Sequence, residues 1–301
     1  MPIDLEAALK RVERLKQTFV VPPGKKISLR KDYDPAFMPS PLKEKEMKQL
    51  LAEGVELLAE YQARLYAQSE YAILIVLQAA DAAGKDGTIK HVMSGVNPQG
   101  CDVHSFKRPS AEELSHDYLW RCALRLPERG KITIFNRSYY EEVLVARVHP
   151  EILDEQKIPR EWKDKKIWNR RFEEINGFEK YLFENGIIVL KFFLNLSRRE
   201  QKRRFLERID RPEKNWKFST SDAEERKFWK NYQNAYEDCV NHTSTKWAPW
   251  YVVPADFKPF SRIAVAGVIV KTLSDLNLQY PKVGKKRSAE LAKIGRALEA
   301  E

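Results

Sequence analysis

Short uninterrupted apolar runs recur along the chain between longer segments of mixed polarity. The runs at 71–78, 131–136 and 186–194 are apolar on both faces, which is typical of strands in a parallel sheet covered by helices on both sides. Two further short segments, 101–106 and 250–254, are also predicted as strands. The pattern therefore predicts five strands.

The segments between these runs space their apolar residues three and four apart, which is the repeat of an amphipathic helix. Leu51, Val55 and Leu58 show this spacing. Pro22-Pro23 marks a break in the chain after the first predicted helix. A capping box, Ser110-Ala111-Glu112-Glu113, predicts that a helix begins near Ser110. The predicted helices are 4–20, 41–69, one starting at 85–94, one from about Ser110, 140–148, 160–184, 198–208, 223–242 and 260–276, and the residues around 24–26 are predicted as an extended arm.

Strands and helices alternate from residue 71 onward, which favours a three-layer α/β/α fold around a parallel five-stranded sheet. We expect an N-terminal helical arm at 1–69 that packs on the core, and a core domain at 70–280. A helical lid at about 198–220 would belong to the core domain, and a basic tail would occupy 281–301. The sequence shows no internal repeat.

Charge is concentrated in one part of the chain. The 301 residues have a net charge of +10, and the segment from Arg198 to Lys217 holds nine Lys/Arg against four Asp/Glu. Apolar residues such as Phe205 and Ile209 are interleaved with these charges, so the segment belongs to folded structure. Such a concentration of cations suits a polyanionic partner, either nucleic acid or another phosphate chain.

Composition restricts the class of protein and its expected location. A hydrophobic content of 43% is typical of a globular chain. The apolar runs are too short to span a bilayer, and residues 1–26 lack the apolar core of a signal peptide. The three cysteines are widely separated and lack metal-ligand spacing. We therefore expect a cytoplasmic protein without a membrane partner.

The segment 78–88 has the form of an altered phosphate-binding loop. The usual pattern is Gly, four residues, Gly-Lys-Ser/Thr between a strand and a helix. Here Ala79 replaces the first Gly, Gly84-Lys85 is in place, and the hydroxyl is moved back to Thr88. Asp81 would repel a polyanion unless a metal ion lies between them. The alternative interpretation is an ordinary strand-to-helix turn of small residues.

A second group of polar residues follows the strand at 131–136. Asn136 stands where the neighbouring strand of a P-loop enzyme usually ends in an Asp that holds Mg²⁺, and Glu141 and Glu142 come shortly after it. Arg137 is placed to hold a transferring phosphoryl group with two parallel hydrogen bonds. The alternative is an exposed helix start, where acidic residues are favoured by the helix dipole.

Two basic segments complete the candidate site. In the lid, Arg199 and Arg203 are four residues apart and share a helix face, as do Arg204 and Arg208. The other lid cations surround them; they are Arg198, Lys202 and Arg211. A solvated helix face is the alternative interpretation. After the second strand, Phe106 is a candidate for stacking on a base or for the core, while Lys107 and Arg108 are candidates for phosphate binding.

Five stretches of the chain together resemble the polyphosphate kinase 2 family. They are Asp-Ala-Ala-Gly-Lys-Asp-Gly-Thr at 81–88, Phe-Lys-Arg-Pro-Ser at 106–110, Phe-Asn-Arg-Ser-Tyr-Tyr-Glu-Glu-Val at 135–143, Asp-Arg-Pro-Glu-Lys-Asn-Trp-Lys-Phe at 210–218 and Ala-Pro-Trp-Tyr-Val-Val-Pro-Ala-Asp at 248–256. The region that resembles the family runs from about 30 to 278. The resemblance implies a thymidylate-kinase-like P-loop kinase fold with a lid.

The resemblance also implies an activity: reversible phosphoryl transfer between inorganic polyphosphate and nucleotides with Mg²⁺, or with Mn²⁺ in its place. Asn136 followed by Glu141 resembles class III of the family, whose members phosphorylate nucleoside mono- and diphosphates, so AMP, ADP and also GDP are expected acceptors. Glu142 stands where an Asp is familiar. A homo-oligomer, dimer or tetramer, is expected from the family.

The resemblance also assigns roles to individual residues. The implied catalytic residues are Asp81, Lys85, Arg137, Glu141 and Glu142, and the implied metal ligands are Asp81, Glu141 and Glu142. The implied nucleotide- and phosphate-binding residues are Ala82, Ala83, Gly84, Asp86, Gly87, Thr88, Phe106, Lys107, Arg108 and Asn136, with the seven lid cations binding polyphosphate. The alternatives are an ATP-dependent nucleotide kinase of the same fold and a basic nucleic-acid-binding protein, against which the missing nucleic-acid-reading motif counts.

Overall fold

The computed structural model describes residue 13, residues 16–39 and residues 43–301. These residues form one sheet of five parallel strands in the order β2-β3-β1-β4-β5. The strands are β1 (Ala72–Gln78), β2 (Cys101–Ser105), β3 (Ile132–Asn136), β4 (Ile187–Asn195) and β5 (Trp250–Pro254). The five predicted strands and their parallel arrangement are confirmed, with bounds within one residue of those expected.

Helices cover both faces of this sheet. The longer ones are α1 (Glu44–Gln68), α2 (Lys85–Val92), α3 (Glu141–Val148), α4 (Ile167–Glu184), α5 (Arg198–Asp210), α6 (Trp229–Thr243), α7 (Lys258–Asp275) and α8 (Lys285–Glu299). Short α-helices lie at Leu29–Asp32, Trp120–Ala123, Pro150–Glu155, Pro212–Asn215 and Thr220–Glu225, and 3-10 turns lie at Pro98–Gly100, Glu113–Ser115, Arg160–Trp162 and Arg226–Phe228.

The central strand β1 shows why three layers form. All seven of its residues are buried, and successive side chains point to opposite faces. Ile73, Ile75 and Leu77 pack with residues of α1 and α7, whereas Leu74 and Val76 pack with residues of α3, α4 and α6. The apolar run therefore needs a helical layer on each side, and the predicted α/β/α fold is confirmed.

A buried network under the second layer fixes the start of α3. Lys191 of β4 and Glu179 of α4 are fully buried and paired at 2.6 Å. The hydroxyl groups of Tyr139 and Tyr140 both donate to Glu179 Oε1, at 2.9 and 2.8 Å. The ammonium group of Lys191 also donates to the Thr243 carbonyl oxygen at 2.6 Å. The two tyrosines immediately precede Glu141, so this network sets the position of the helix that carries it.

The helix predicted from Ser110 is wrong in extent, although its capping box forms. The Ser110 N–H donates to Glu113 Oε2 at 2.8 Å, and the Glu113 N–H donates to Ser110 Oγ at 3.2 Å. Only the turn Glu113–Ser115 follows. Asp117 then accepts the Leu119 N–H at 2.9 Å in a turn, and a separate short helix follows at Trp120–Ala123 without a side-chain cap. The bend and turn at 116–119 therefore divide the segment.

Two other predicted helices are shorter than expected. The Asp164 carboxylate accepts the Lys166 N–H at 3.0 Å, and α4 begins at Ile167 instead of residue 160. The helix predicted at 223–242 is divided into Thr220–Glu225 and α6 by a 3-10 turn. Both differences arise because 3-10 turns and bends interrupt an apolar spacing that continues across them.

The ends of the chain extend beyond the sheet layers. Most of the predicted helix 4–20 lies outside the described residues. Val20 forms an antiparallel bridge with Tyr251, and the Val21 N–H donates to the Trp250 carbonyl oxygen at 2.8 Å, so the arm covers the edge strand β5. The tail contains the helix α8, none of whose residues is buried. No helix within the described ranges has both the length and the hydropathy to cross a bilayer.

Candidate active site

The loop after β1 lies at the centre of the carboxyl edge of the sheet. β1 pairs with β3 on one side and β4 on the other. The connection after β1 runs to the β2 edge of the sheet, whereas the connection after β4 runs to the opposite edge, β5. In open parallel sheets this topological switch point is where ligands bind. The altered phosphate-binding loop predicted from the sequence therefore occupies the position at which a phosphate cradle is expected.

The backbone of this loop is wound tightly. Ala82 and Gly84 have positive φ angles of +62° and +108°. For Ala82 this left-handed conformation is strained, and such strain is concentrated at functional sites. In the part of the chain that the structure describes, the backbone N–H groups of residues 84–87 have no acceptor. They open α2 and are therefore available to phosphate oxygens.

Lys85 is the first residue of α2, and its ammonium group donates to the Ala79 carbonyl oxygen at 2.9 Å. Burial, together with the neighbouring Arg137, lowers its pKa. Thr88 is buried one turn further along the helix. Lys85 is thus folded back over the loop it follows, which places a cation at the centre of the cradle.

Asp81, Arg137 and Glu141 form a continuous charged chain. The Arg137 guanidinium lies 3.0 Å from Asp81 Oδ1 and 3.7 Å from Glu141 Oε2. Arg137 has a φ of +63°, and its N–H donates to the Leu77 carbonyl oxygen at 3.1 Å, which ties the end of β3 to the end of β1. Burial raises the pKa of Glu141, while Arg137 and Lys85 act against that shift.

Glu142 does not join this group. Its carboxylate accepts from Arg171 at 3.1 Å and from Gln156 at 2.7 Å. Burial raises its pKa and Arg171 opposes that shift. The structure therefore brings Glu141, and not Glu142, to Asp81, because the two neighbouring glutamates project to different sides of the first turn of α3.

Asn136 connects β3 to the loop. Its amide nitrogen donates to Asp86 Oδ1 at 2.9 Å, and the Ser105 hydroxyl lies 3.4 Å away. Asn136, which the sequence placed where the strand usually ends in an Asp, thus faces the first turn of α2. The carboxylate at this point belongs to Asp86.

A cavity of 660 Å³ opens in front of the loop and is strongly cationic. Its lining has ten cations and four carboxylates: Lys85, Lys107, Arg108, Arg137, Arg204, Arg208, Lys214, Lys217, Lys258 and Arg262, with Asp81, Asp86, Glu207 and Asp222. Phe106 also reaches it, although its ring is packed edge-on against Phe135 at 4.9 Å. A cavity with this excess of cations is suited to a polyanion.

The predicted lid cations divide between this cavity and the outer surface. Arg204 and Arg208 line the cavity. The other five lie outside its lining and are exposed on or next to the outer face of α5; they are Arg198, Arg199, Lys202, Arg203 and Arg211. A helix that packs one face against the domain must turn its other face to solvent.

Arg204 holds the loop instead of presenting free donors. Its side chain is 3% exposed, and its Nε donates to Glu200 at 2.8 Å. Its terminal nitrogens donate to the carbonyl oxygens of Ala82, Ala83, Ala255 and Asp256, at 2.6 to 3.1 Å. All five N–H groups of the guanidinium are thus used. Arg204 joins the phosphate-binding loop to the start of α7.

Sequence reasoning missed two cations of the cavity, Lys258 and Arg262. They stand four residues apart at the start of α7, directly after β5. A window of charge excess does not reveal them, because only two cations occur there. Their position beyond the carboxyl end of a predicted strand was the available signal, because those ends share one edge of the sheet.

Two smaller cavities share residues of the Asp81–Arg137–Glu141 chain. One of 270 Å³ is lined by Asp81, Arg137 and Glu141 together with Tyr232 and Tyr236. Another of 380 Å³ lies between the segment after β2 and helix α3, and it reaches Arg137, Glu141 and Glu142. Lys107, Arg108 and Arg137 belong to both this cavity and the cationic one. The Asp81–Arg137–Glu141 chain therefore stands where the cavities meet.

The arrangement of loop, paired acids and cationic cavity on a parallel sheet defines a P-loop phosphotransferase of the α/β class. The family sequence model named Polyphosphate kinase 2 matches residues 41–281. The chain therefore belongs to the polyphosphate kinase 2 family.

Individual relatives agree with this assignment. A protein from Rhodopseudomonas palustris named ADP-polyphosphate phosphotransferase is 52% identical over 251 residues, which are 83% of this chain and 87% of that protein. A protein from Meiothermus ruber named AMP/ADP-polyphosphate phosphotransferase is 45% identical over 75% of this chain and 80% of its own length. The crystal structure of polyphosphate kinase 2 from Arthrobacter aurescens superposes with a TM-score of 0.85 at 38% identity, covering 94% of this chain and 96% of that one.

Proposed function

We propose that this chain transfers the terminal phosphoryl group of inorganic polyphosphate to nucleoside mono- and diphosphates. The observation that carries the proposal is the cationic cavity that ends at Lys85, Asp81 and Arg137. A nucleotide alone does not need ten cations, whereas a phosphate chain carries a negative charge on every unit. The names of the two relatives support polyphosphate as the donor and AMP or ADP as the acceptor.

The cavities suggest where the two substrates bind. Polyphosphate would occupy the cationic cavity, with its terminal phosphate beside Lys85 and Arg137. The nucleotide would enter from the 380 Å³ cavity, whose lining includes more carboxylates than cations. Those carboxylates are suited to hydroxyl and amino donors of a nucleoside and unsuited to a second polyanion. Arg108, paired with Glu155 at 2.7 Å, lies at the border between the two.

The chemistry requires little beyond positioning and charge. An oxygen of the acceptor phosphate attacks the terminal phosphorus in line, the bridging P–O bond breaks, and its electron pair leaves with the shortened chain. The attacking oxygen is ionised near neutral pH, so a strong general base is not needed. Lys85, Arg137 and the free N–H groups of the loop stabilise the charge that develops on the transferring group.

Asp81 and Glu141 are the residues that would hold Mg²⁺, or Mn²⁺ in its place. Mg²⁺ is usually bound by one or two carboxylates plus substrate phosphates and water, and these two carboxylates fit that donor set. No cluster of three His, Cys, Asp or Glu side chains occurs within the described ranges. When bound, the metal neutralises charge on the phosphates being joined. Glu142 is assigned to positioning Arg171.

Finer features of the proposal rest on the family resemblance. We include GDP among the acceptors, reversibility, a dimeric or tetrameric assembly and a cytoplasmic location. The three unpaired cysteines, two of them buried, are compatible with a reducing compartment.

One assay tests the proposal against both alternatives. The protein is incubated with ADP, Mg²⁺ and polyphosphate without ATP, and ATP formation is followed; AMP and GDP replace ADP in parallel. ATP should appear only when polyphosphate is present. An ATP-dependent nucleotide kinase could form ATP only by transfer between two ADP molecules, which also yields AMP and does not depend on polyphosphate. A nucleic-acid-binding protein would form no product and would bind duplex with a steep salt dependence.

A further inference from the structure

Gln78 is the only polar residue among the seven of the central strand β1, and its side chain is fully buried. It ends the strand where the chain enters the phosphate-binding loop, and it points to the same face as Leu74 and Val76, toward α3. Its amide oxygen has no hydrogen-bond partner among the described residues. Because a buried acceptor without a partner destabilises the folded state, packing alone does not account for a glutamine here.

The amide nitrogen of Gln78 holds the turn between β3 and α3. It donates to Ser138 Oγ at 3.1 Å, and Ser138 is also fully buried. The same hydroxyl oxygen accepts the Tyr140 N–H at 3.1 Å, and the Ser138 carbonyl oxygen accepts the Glu141 N–H at 3.1 Å. Gln78 therefore supports the residue around which the first turn of α3 is built.

The residues on either side of Ser138 belong to the Asp81–Arg137–Glu141 chain. The Arg137 N–H donates to the carbonyl oxygen of Leu77, the neighbour of Gln78, at 3.1 Å, and Arg137 has a φ of +63°. A residue other than glycine keeps such a conformation only where its surroundings hold it. Burial raises the pKa of Glu141, and a hydrogen bond from Gln78 is among the contacts that act against this shift. The end of β1 thus contacts the turn 137–141 along its whole length.

Two separate structures hold this turn. The buried pair of Lys191 and Glu179 fixes its tyrosine rings from the layer of α4. Gln78 instead fixes its backbone from the strand that carries the phosphate-binding loop. The residue after Gln78 is Ala79, whose carbonyl oxygen accepts from Lys85 at 2.9 Å. The position of Gln78 therefore links the turn to the loop.

We propose that Gln78 is a positioning residue for phosphoryl transfer, which fixes the turn bearing Arg137 and Glu141 relative to the phosphate-binding loop. This inference rests on the proposed function. Gln78 lines none of the three cavities described above, so it acts through the turn and does not touch the substrates. Its effect belongs to the transfer step, where a small displacement of a guanidinium or carboxylate lowers the rate, and not to the binding of either substrate.

The test replaces Gln78 with methionine, which keeps most of the side-chain volume and removes both polar atoms of the amide. The matched control is Gln62→Met, at another buried glutamine. Gln62 lies in α1 against Gly100, just before β2 begins, and thus at the edge of the sheet opposite the site. Initial rates of ATP formation from ADP and long-chain polyphosphate give kcat and the two KM values, and thermal unfolding gives Tm. The rates are measured well below the Tm of every variant.

For Gln78→Met we expect kcat to fall about tenfold or more, while each KM changes by less than about threefold. Tm should equal or exceed that of the wild type, because the variant also removes the buried acceptor that has no partner. Gln62→Met should keep its kcat. A glutamine that serves only to stabilise the strand end would give the opposite pattern, a lower Tm with an unchanged kcat, and would overturn the inference.

Ser138→Ala removes the acceptor of the same hydrogen bond and should also lower kcat. In the double variant Gln78→Met/Ser138→Ala, the combined loss in log kcat should be clearly less than the sum of the two single losses. An unchanged kcat in Gln78→Met, a loss confined to KM, or fully additive losses would overturn the inference. If Gln78→Met does not fold, Ser138→Ala decides by the same rates. Wild-type protein that forms no ATP from polyphosphate would instead refute the proposed function.

Discussion

Lys85 stands where the phosphate-binding loop becomes a helix, and its ammonium group is held by the Ala79 carbonyl oxygen. The Lys85→Ala variant should lower kcat by about 10² or more, since a charge aimed at the transferring phosphoryl group is lost. Initial rates of ATP formation from ADP and polyphosphate measure the effect. Lys90→Ala, which removes an exposed lysine from the same helix, is the control. A near-normal rate in Lys85→Ala would contradict the assignment.

Arg204 offers a second test at the level of one residue. In Arg204→Lys, most of the bonds to the four loop and α7 carbonyl oxygens are lost, and buried acceptors are left without partners. We expect unfolding free energy to fall by about 1–3 kcal/mol, measured by denaturant titration. Arg199→Lys, which replaces an exposed arginine of the same helix, should change it by less than about 0.5 kcal/mol. Similar losses in both variants would show that the hydrogen bonds of Arg204 to these carbonyl oxygens have no specific stabilising effect.

Single residues also mark what the sequence can predict. Gly84-Lys85 after a buried run predicted a tight turn between a strand and a helix, which the structure contains, because that motif depends on local spacing alone. Glu141 and Glu142 were not distinguished, because which of two adjacent side chains faces the site depends on how the first turn of α3 is rotated. That rotation is set by contacts with α4 and β4, which no local pattern reveals.

At the level of elements, β4 and α4 meet α3 through the buried pair of Lys191 and Glu179. In Lys191→Met, the Glu179 carboxylate loses its buried cation, and unfolding free energy should fall by about 3–5 kcal/mol. The double variant Lys191→Met/Glu179→Leu should be less destabilised, because no unpaired charge remains buried. Equilibrium unfolding in urea measures both. A double variant that is less stable than the single one would contradict this account.

Helix α5 has a pH-dependent contact at its first turn. Hydrogen bonds from Arg203, with further contributions from Arg204, lower the pKa of Glu200 from 4.5 to about 2. The folded state thus binds the proton less readily than the unfolded state, so the ionised carboxylate stabilises the fold fully above pH 4.5. That contribution is lost as the pH falls toward 2.

Comparison of wild-type protein with Glu200→Gln should reveal this contribution. The difference in Tm should be constant above pH 4.5 and decrease as the pH is lowered toward 2. Thermal unfolding followed by circular dichroism at several pH values measures it. A difference that does not depend on pH in this range would show that the carboxylate has no stabilising partner.

Strands with continuous burial were predicted well, whereas the extents of helices interrupted by turns were predicted less well. The five strands are confirmed because a short, continuous apolar run can be buried on both faces only in the interior of a folded domain, as a strand of a covered sheet is. The helix predicted from Ser110 is wrong in extent although its capping box forms, because a bend and a turn at 116–119 follow a single 3-10 turn. A capping box predicts where a helix begins and not how far it continues.

For the whole molecule, the distribution of charge matters more than its total. Arg198, Arg199 and Lys202 are exposed outside the cavity, so they extend the positive field over the surface beside its entrance. Such a field speeds the association of a polyanion and is screened by salt. The sequence identified this surplus, but the fold was needed to separate cations that line the cavity from those around it.

Salt should therefore affect the two substrates differently. Between low and physiological ionic strength, KM for long-chain polyphosphate should rise steeply, because the donor releases condensed counterions on binding. KM for ADP should change less, because ADP contacts fewer cations. Initial rates at a fixed Mg²⁺ activity and varied potassium chloride measure both. Equal salt dependence for donor and acceptor would contradict the separate binding places.

The chain of Asp81, Arg137 and Glu141 has a thermodynamic consequence. The Arg137 guanidinium forms ion pairs with both carboxylates, Asp81 and Glu141, so each of the three groups already has a partner of opposite charge. A phosphate that draws Arg137 away frees the acids for a cation, and a cation that engages the acids frees Arg137 for phosphate. The two ligands therefore remove each other's competitor, and by linkage each raises the affinity of the other by the same factor. The ion pairs of Arg137 thus compete with both ligands, and this shared competition makes the binding of phosphate and of the cation cooperative.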